Sequence, residues 1–372
     1  MASKLRVFTK RFFIFSNIIL VLVFLLACLV PYLDPHNWWL ISFLGLAFPF
    51  LLLLVLLFFL GWLMIMRPRY ALISGVAMLI GWKSISVLFS FHTPQKFIEK
   101  KEQAHIRVVS WNVARFIELR RNTNKGSETR LKMLDLLKQQ NADILCLQEF
   151  HTSTNPEFYN NIEAVQSLGY PYFYFSYDAD GDQHYYSSII FSRLPVIDTG
   201  KVRYPRPSLP DVLLYADLQA GQDTIRVYTT HLQSLQFTRH DYERIEKIKT
   251  AEDSLLANSK GILSKLKKGI TFRSIQADMV HDVMSNTPHP YLLCADLNDV
   301  PNSYTYFTVR DGLRDAFLEK GTGIGRTFTA LSPTLRIDYI LTSHQFDIRQ
   351  YKRVTRRYSD HFMQVTDLEL RK

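Results

Sequence analysis

The segment from Trp38 to Met66 contains no charged residue, and it is longer than the ~20 apolar residues that cross the hydrocarbon core of a bilayer. Two neighbours are of the same kind. Phe12 to Leu33 is uncharged, and Tyr70 to Phe91 is interrupted only by Lys83. Such runs in succession, parted by short polar or Pro-containing breaks, predict three transmembrane helices over 12–33, 38–66 and 70–91. Residues 1–92 then form a membrane anchor. A cleaved signal peptide fits the first run poorly, because the run is long, shows no small-residue cleavage site and is followed at once by a second. Trp38, Trp39 and Trp62 stand near the ends of the second run, as interfacial aromatics do, and Lys83 is placed to snorkel to a boundary.

Charge sets the orientation. Of the formal net charge of +10, the first 92 residues carry +6, from Lys4, Arg6, Lys10, Arg11, Arg67, Arg69 and Lys83 against Asp34. The basic N-terminal tail and the 67–69 turn predict cytoplasmic ends. Three spans then put the rest of the chain on the other side, the periplasm of a bacterial cell, with the anchor multi-pass in the inner membrane. The spans lack the ionisable residues of a transport pathway. The +4 left for the remaining residues is no dense basic track for nucleic acid. Three cysteines make no disulfide framework and show no metal-ligand spacing, although a bond between Cys146 and Cys294 stays open.

After a polar, Lys-rich linker at 93–104, residues 105–372 alternate strand and helix signals. Strands are predicted at Ile106–Trp111, Asp143–Leu147, Ser188–Ser192, Leu213–Leu218, Ile225–Thr230, Tyr291–Ala295 and Ile337–Leu341. The aromatic run at 170–177 reads as another. Leu131, Leu134 and Leu137 recur on one face of a helix that Ser127 can cap and that runs to Gln140. The 240–284 stretch reads as one long or two broken helices. This mixed order predicts a layered α/β domain.

The chemical signal lies where these strands end. Ser110-Trp111-Asn112, Leu147-Gln148-Glu149, Thr229-Thr230-His231, Ala295-Asp296-Leu297-Asn298, Ile337-Asp338 and Ser359-Asp360-His361 each close an apolar run or a turn with acids, amides or imidazoles. One such ending is ordinary turn chemistry. Six in one domain point to a site. Hard oxygen donors (Glu149, Asp360, Asn112) suit Mg²⁺ or Mn²⁺. His231 and His361 can donate to phosphate oxygens, and Asp338 can orient His361. Asp296 and Asn298 can handle water and hold an oxygen. Together they describe metal-assisted attack of water on phosphorus.

The order Trp-Asn, Leu-Gln-Glu, Ser-Arg-Leu-Pro, Thr-His-Leu, Asp-Leu-Asn, Arg-Ile-Asp-Tyr, Ser-Asp-His over residues 105–369 resembles the endonuclease/exonuclease/phosphatase superfamily, with its deoxyribonuclease-I-like fold. The resemblance implies a four-layer α/β sandwich of two packed mixed sheets flanked by helices, here preceded by the all-α transmembrane region. It implies Glu149 as principal metal ligand, assisted by Asn112 and Asp360. Asp296 would deprotonate the attacking water, Asn298 would position phosphate or nucleophile, and His231 would contact phosphate. His361, paired with Asp338, would stabilise the transition state or transfer a proton. Two positions depart from the family pattern. Ala295 stands where Gly is usual, and Ser187-Ser188 where a Gly or Asn phosphate contact is common, leaving Ser188 and Arg193 as the substrate-binding candidates. The anchor followed by this domain looks like a membrane-anchored bacterial branch. The substrate, whether nucleic acid, phospholipid head group, inositol phosphate or nucleotide, stays open. The alternative is a catalytically degenerate binding module of the same fold, which predicts a broken motif position.

Overall fold

The computed structural model describes residues 2–117, 128–205, 212–235 and 255–371. Its N-terminal quarter is helical. Helix α1 (Ala2–Leu29) is followed by α2 (Pro35–Met64), which begins on Asp34, whose carboxylate accepts from the His36 backbone N–H at 2.8 Å. Both are long and apolar enough to cross a membrane. The third run differs from expectation. It forms α3 (Pro68–Ile80) and α4 (Trp82–Leu88), bent by 69° at Gly81. Gly81 sits so close to α1 that a Cβ there would lie 2.8 Å from Cys28 Sγ and 2.9 Å from the Phe24 ring. Inside the bundle Ser74 donates to Asn17 Oδ1 at 2.8 Å, a buried polar link between α3 and α1.

The remainder begins with β1 (Ile106–Asn112), α5 (Glu128–Gln140), β2 (Ile144–Ser153), α6 (Asn161–Gln166), β3 (Tyr172–Phe175) and β4 (His184–Ser192). It continues through β5 (Val196–Arg203), β6 (Val212–Ala220), β7 (Asp223–His231), α7 (Leu255–Ser285), β8 (Tyr291–Asp296) and α8 (Tyr304–Arg310). It ends with β9 (Arg314–Asp315), α9 (Ala316–Lys320), β10 (Asp338–Thr342), β11 (Phe346–Val354) and β12 (Met363–Leu370). Ser127 and residues 240–254 lie outside the described residues.

Two six-stranded sheets result, ordered β11-β12-β1-β2-β4-β3 and β5-β6-β7-β8-β10-β9. Each has one parallel pair near its centre, β1 with β2 and β7 with β8, and its other pairings are antiparallel. Val108, Ile144, Cys146, Ile190, Leu214, Val227, Cys294 and Ile340 pack between the sheets. The outer face of the first sheet carries α5 and α6 through Met133, Leu137 and Val165, and that of the second carries α7 and α8 through Ala277, Val280 and Tyr306. The layering is thus helix, sheet, sheet, helix, as the resemblance implied. Cys146 and Cys294 are free buried thiols, which settles the open disulfide.

The segment before β1 is well tied down. Val87 belongs to the apolar cluster outside the second sheet, and Ser90 Oγ donates to the Gly321 carbonyl at 2.7 Å. The Ile98 and Glu99 carbonyls accept from the buried Arg107 guanidinium at 3.1 and 2.8 Å.

Candidate active site

The two parallel pairs bring their C-terminal ends together. Asn112 is in register with Gln148 across β1 and β2, His231 with Asp296 across β7 and β8, and Asp338 with Asp296 across β10 and β8. Between the sheets, Gln148 Nε2 donates to Thr229 Oγ1 at 3.0 Å, holding the two ends face to face. Glu149 falls on a bulge in β2, where the pairing with β4 shifts between Leu147 and Phe150, and its φ of +49° aims the carboxylate out of the ladder. Ser188 lies across that bulge on β4 and is buried.

Asn112 Nδ2 donates to Glu149 Oε1 at 3.2 Å and to Asp296 Oδ2 at 2.9 Å, while its Oδ1 accepts from the Ala114 backbone N–H at 3.0 Å. The amide nitrogen therefore faces the carboxylates, and the amide oxygen faces the backbone of the following turn. His231 Nε2 lies 3.5 Å from Glu149 Oε1 and 3.7 Å from Asp296 Oδ2. His361 Nδ1 bonds Asp338 Oδ2 at 2.9 Å, and its Nε2 is 3.7 Å from Asp296 Oδ2. Asn298, at φ +51°, donates from Nδ2 to the Leu232 carbonyl at 2.9 Å, which leaves its amide oxygen as an acceptor.

Burial decides the electrostatics. Asp296 is fully enclosed, and burial followed by the nearby Asp338 charge raises its pKa against the pull of His361, His231 and Asn112. Burial works against a charge on His361, but Asp338 and then Asp296 outweigh it and push its pKa up to about 10. Asp296, Asp338 and His361 offer ligand atoms within 4.8 Å of one another. Glu149 is the more open carboxylate, with 29% of its side chain exposed, and with Asp296 Oδ2 it supplies the hard oxygens a divalent cation prefers.

Asp360 is exposed on the turn before β12 and adds its charge to the field at His361. Arg193 does not reach the site. It bonds Asn141 Oδ1 at 2.5 Å and stacks on Tyr170 at the opposite end of β2, because the Ser-Arg-Leu-Pro turn follows the far end of β4. Ala295 is accommodated inside regular β8. Two supporting residues escaped the sequence reading. Thr327 Oγ1 accepts from the backbone of Ile337 and Asp338 at 2.9 and 3.1 Å, and Trp111 Nε1 donates to the His361 carbonyl at 2.9 Å. Trp111 stands in the Trp-Asn pair that closes β1, whereas nothing around Thr327 in the sequence marks it.

Two mixed sheets packed face to face, with acids and imidazoles gathered where the C-terminal ends of their parallel pairs meet, define a four-layer α/β sandwich with a polar site. Residues 109–361 match the model of the Endonuclease/Exonuclease/phosphatase family, and the chain belongs to that family. Residues 10–88 match a domain family of unknown function. No curated protein matches the chain significantly. Among solved structures it is similar to an endonuclease/exonuclease/phosphatase from Beutenbergia cavernae (21% identity, TM-score 0.52, 72% of each chain covered). It is also similar to the human Nocturnin catalytic domain with bound sulfate (17% identity, TM-score 0.50, 72% of this chain and 94% of that one). Humanized D. rerio TDP2 gives 17% identity and TM-score 0.50 over 72% of this chain and all of that one. At these identities the likeness is one of fold.

Proposed function

We propose that the chain is a membrane-tethered, divalent-metal-dependent phosphoester hydrolase. The observation that carries this reading is the convergence of Glu149, Asn112, His231, Asp296, Asp338 and His361 on one junction between the sheets. Mg²⁺ or Mn²⁺ would be held by Glu149, assisted by Asp360, and Asn112 keeps Glu149 and Asp296 side by side through its amide nitrogen. The ion, when bound, supplies positive charge against phosphate oxygens.

The protein's own groups supply the rest. Asp296, its pKa raised by burial, accepts a proton from the attacking water, and the Asn298 amide oxygen orients that water. Water oxygen bonds to phosphorus as the bond to the leaving oxygen breaks, and the leaving oxygen takes a proton from solvent. His361, protonated and steadied by Asp338, donates to the phosphoryl oxygens as charge grows there, and His231 donates from the other side. Ser188, across from the bulge, is positioned to bound the phosphate pocket.

The anchor is read as multi-pass. Lys10 Nζ lies 5.2 Å above the Tyr70 ring, so the basic tail and the 67–69 turn share one end of the bundle. The α3 helix leaves that end and reaches Cys28 near the other, where the α/β domain sits. Positive-inside bias then makes the basic end cytoplasmic and the catalytic domain periplasmic, in the inner membrane of a bacterial cell.

The deciding measurement is hydrolysis of bis(p-nitrophenyl) phosphate by the full chain in detergent. Turnover should require Mg²⁺ or Mn²⁺, vanish with EDTA, and fall about 10²–10⁴-fold in Asp296→Asn and in His361→Ala. Variants as active as the native chain, or turnover indifferent to EDTA, would defeat the reading.

A further inference from the structure

We propose that the phosphoester this site cleaves is carried by a lipid of the same bilayer that holds the anchor. The inference rests on the hydrolase and spanning readings above and adds the substrate's location. It comes from where the helical bundle grips the α/β domain. Asn302 Nδ2 donates to the Ala27 carbonyl of α1 at 2.9 Å, and a Cβ on Gly45 of α2 would collide with the Asn302 carbonyl oxygen. Arg336 Nη2 donates to the Val87 carbonyl of α4 at 2.7 Å, and Ser90 pairs with Gly323 through both backbone bonds at 2.9 Å.

These grips adjoin the reactive end of the second sheet. Asn302 lies four residues beyond Asn298, and Arg336 lies two before Asp338. Gly323 leads into Thr327, whose carbonyl accepts from the Phe362 N–H next to His361 at 2.8 Å. Four Cα steps of 3.8 Å cannot exceed about 15 Å, so Asn298 is tethered within that distance of Asn302, the residue that touches α1 and α2.

Side chains mark the depth of this junction. Lys83 Nζ stands 5.2 Å from the Tyr32 ring and 5.6 Å from Phe307 of α8, and Lys267 of α7 lies 4.8 Å from the Trp39 ring. Aromatic rings topped by ammonium groups are the pattern of the headgroup layer. Trp82 and Phe91 stack on each other at 6.1 Å while 56% and 68% exposed, an apolar pair continuous with the spans. The α/β domain therefore meets the bilayer at headgroup level with its catalytic loop beside the contact.

Charge agrees with this placement. Arg356 and Arg357 are exposed on the turn that leads to Asp360 and His361, and Lys267 and Lys268 are exposed on α7 beside α2. Such groups draw anionic headgroups to a surface. The domain's modest overall charge lacks the continuous basic track that would follow a nucleic-acid backbone.

The test uses the full chain reconstituted with Mg²⁺ into vesicles of phosphatidylethanolamine, phosphatidylglycerol, cardiolipin and phosphatidic acid, followed by phosphorus NMR. Bis(p-nitrophenyl) phosphate and a single-stranded oligonucleotide serve as water-soluble comparators. Expected is loss of a lipid phosphorus signal at least tenfold faster, in kcat/KM, than either comparator. Its rate should follow the lipid's mole fraction in the bilayer rather than its bulk concentration, and His361→Ala should abolish it. Turnover of bis(p-nitrophenyl) phosphate with every lipid signal unchanged overturns the proposal and leaves the hydrolase reading standing. Preference for the oligonucleotide overturns it in favour of nucleic acid. No turnover of any substrate defeats the hydrolase reading itself, and the proposal with it.

Discussion

His361 is enclosed between two carboxylates and carries its proton because of them. Its pKa of about 10 lies above the ordinary histidine value of about 6.5. The stabilisation this gives is therefore fully present below about pH 6.5 and is lost as pH rises through about 10. In chelator-treated protein, NMR titration of the His361 ring should show it protonated beyond pH 8. Asp338→Asn removes the nearest carboxylate and should bring the midpoint down by more than one pH unit. A native midpoint below 7 would contradict the assignment of His361 as the proton-bearing partner. The candidate residues themselves can be read from the chain, because a polar group closing an apolar strand interrupts an otherwise uniform pattern. The direction of the Asn112 amide cannot, since the Ala114 N–H fixes it. Nor can the brace from Thr327, which depends on a loop folding back over Ile337 and Asp338.

At the scale of elements, Arg336 joins three parts of the molecule. It is fully buried, bonds Asp315 Oδ2 at 2.6 Å at the junction of β9 and α9, and bonds the Val87 carbonyl of α4. Removing one partner of a buried ion pair strands the other, at a cost of about 3–5 kcal/mol. Arg336→Ala should lower unfolding stability by that amount in denaturant titration, while Arg349→Ala, on the exposed face of β11, should change it by less than about 1 kcal/mol. Equal effects would show that Arg336 is not a strut. The strands that announced themselves were those with continuous apolar runs. The β12 strand did not, although it lies inside its sheet, because Gln364, Thr366 and Asp367 interrupt its apolar pattern. Those side chains are buried and bonded, Gln364 accepting at Oε1 from the Tyr351 hydroxyl, Thr366 donating to the Gln350 carbonyl, and Asp367 pairing with Arg107. The polar β5 strand was missed because it is an edge, where charged and polar residues guard against further pairing.

For the whole molecule, charge asymmetry and architecture make one topological prediction. The α1 and α2 helices, 28 and 30 residues long, measure roughly 40–45 Å at 1.5 Å per residue. That exceeds the ~30 Å hydrocarbon core, so each can cross and still leave a turn in the headgroups. The basic end, joined by Lys10 and Tyr70, and the end bearing Asp34 and the α/β domain then lie on opposite faces. The three native cysteines are buried, so single introduced thiols report cleanly. Spheroplasts treated with a membrane-impermeant maleimide should label Asp223→Cys, at the exposed start of β7, and should spare Lys4→Cys until the membrane is broken. The reverse pattern would put the catalytic domain in the cytoplasm. Labelling of both before lysis would show that the bundle does not separate them. The expected pattern would assign most of the chain's net charge to holding one face of the anchor inward, leaving phosphate recognition to the few residues gathered where the two sheets meet.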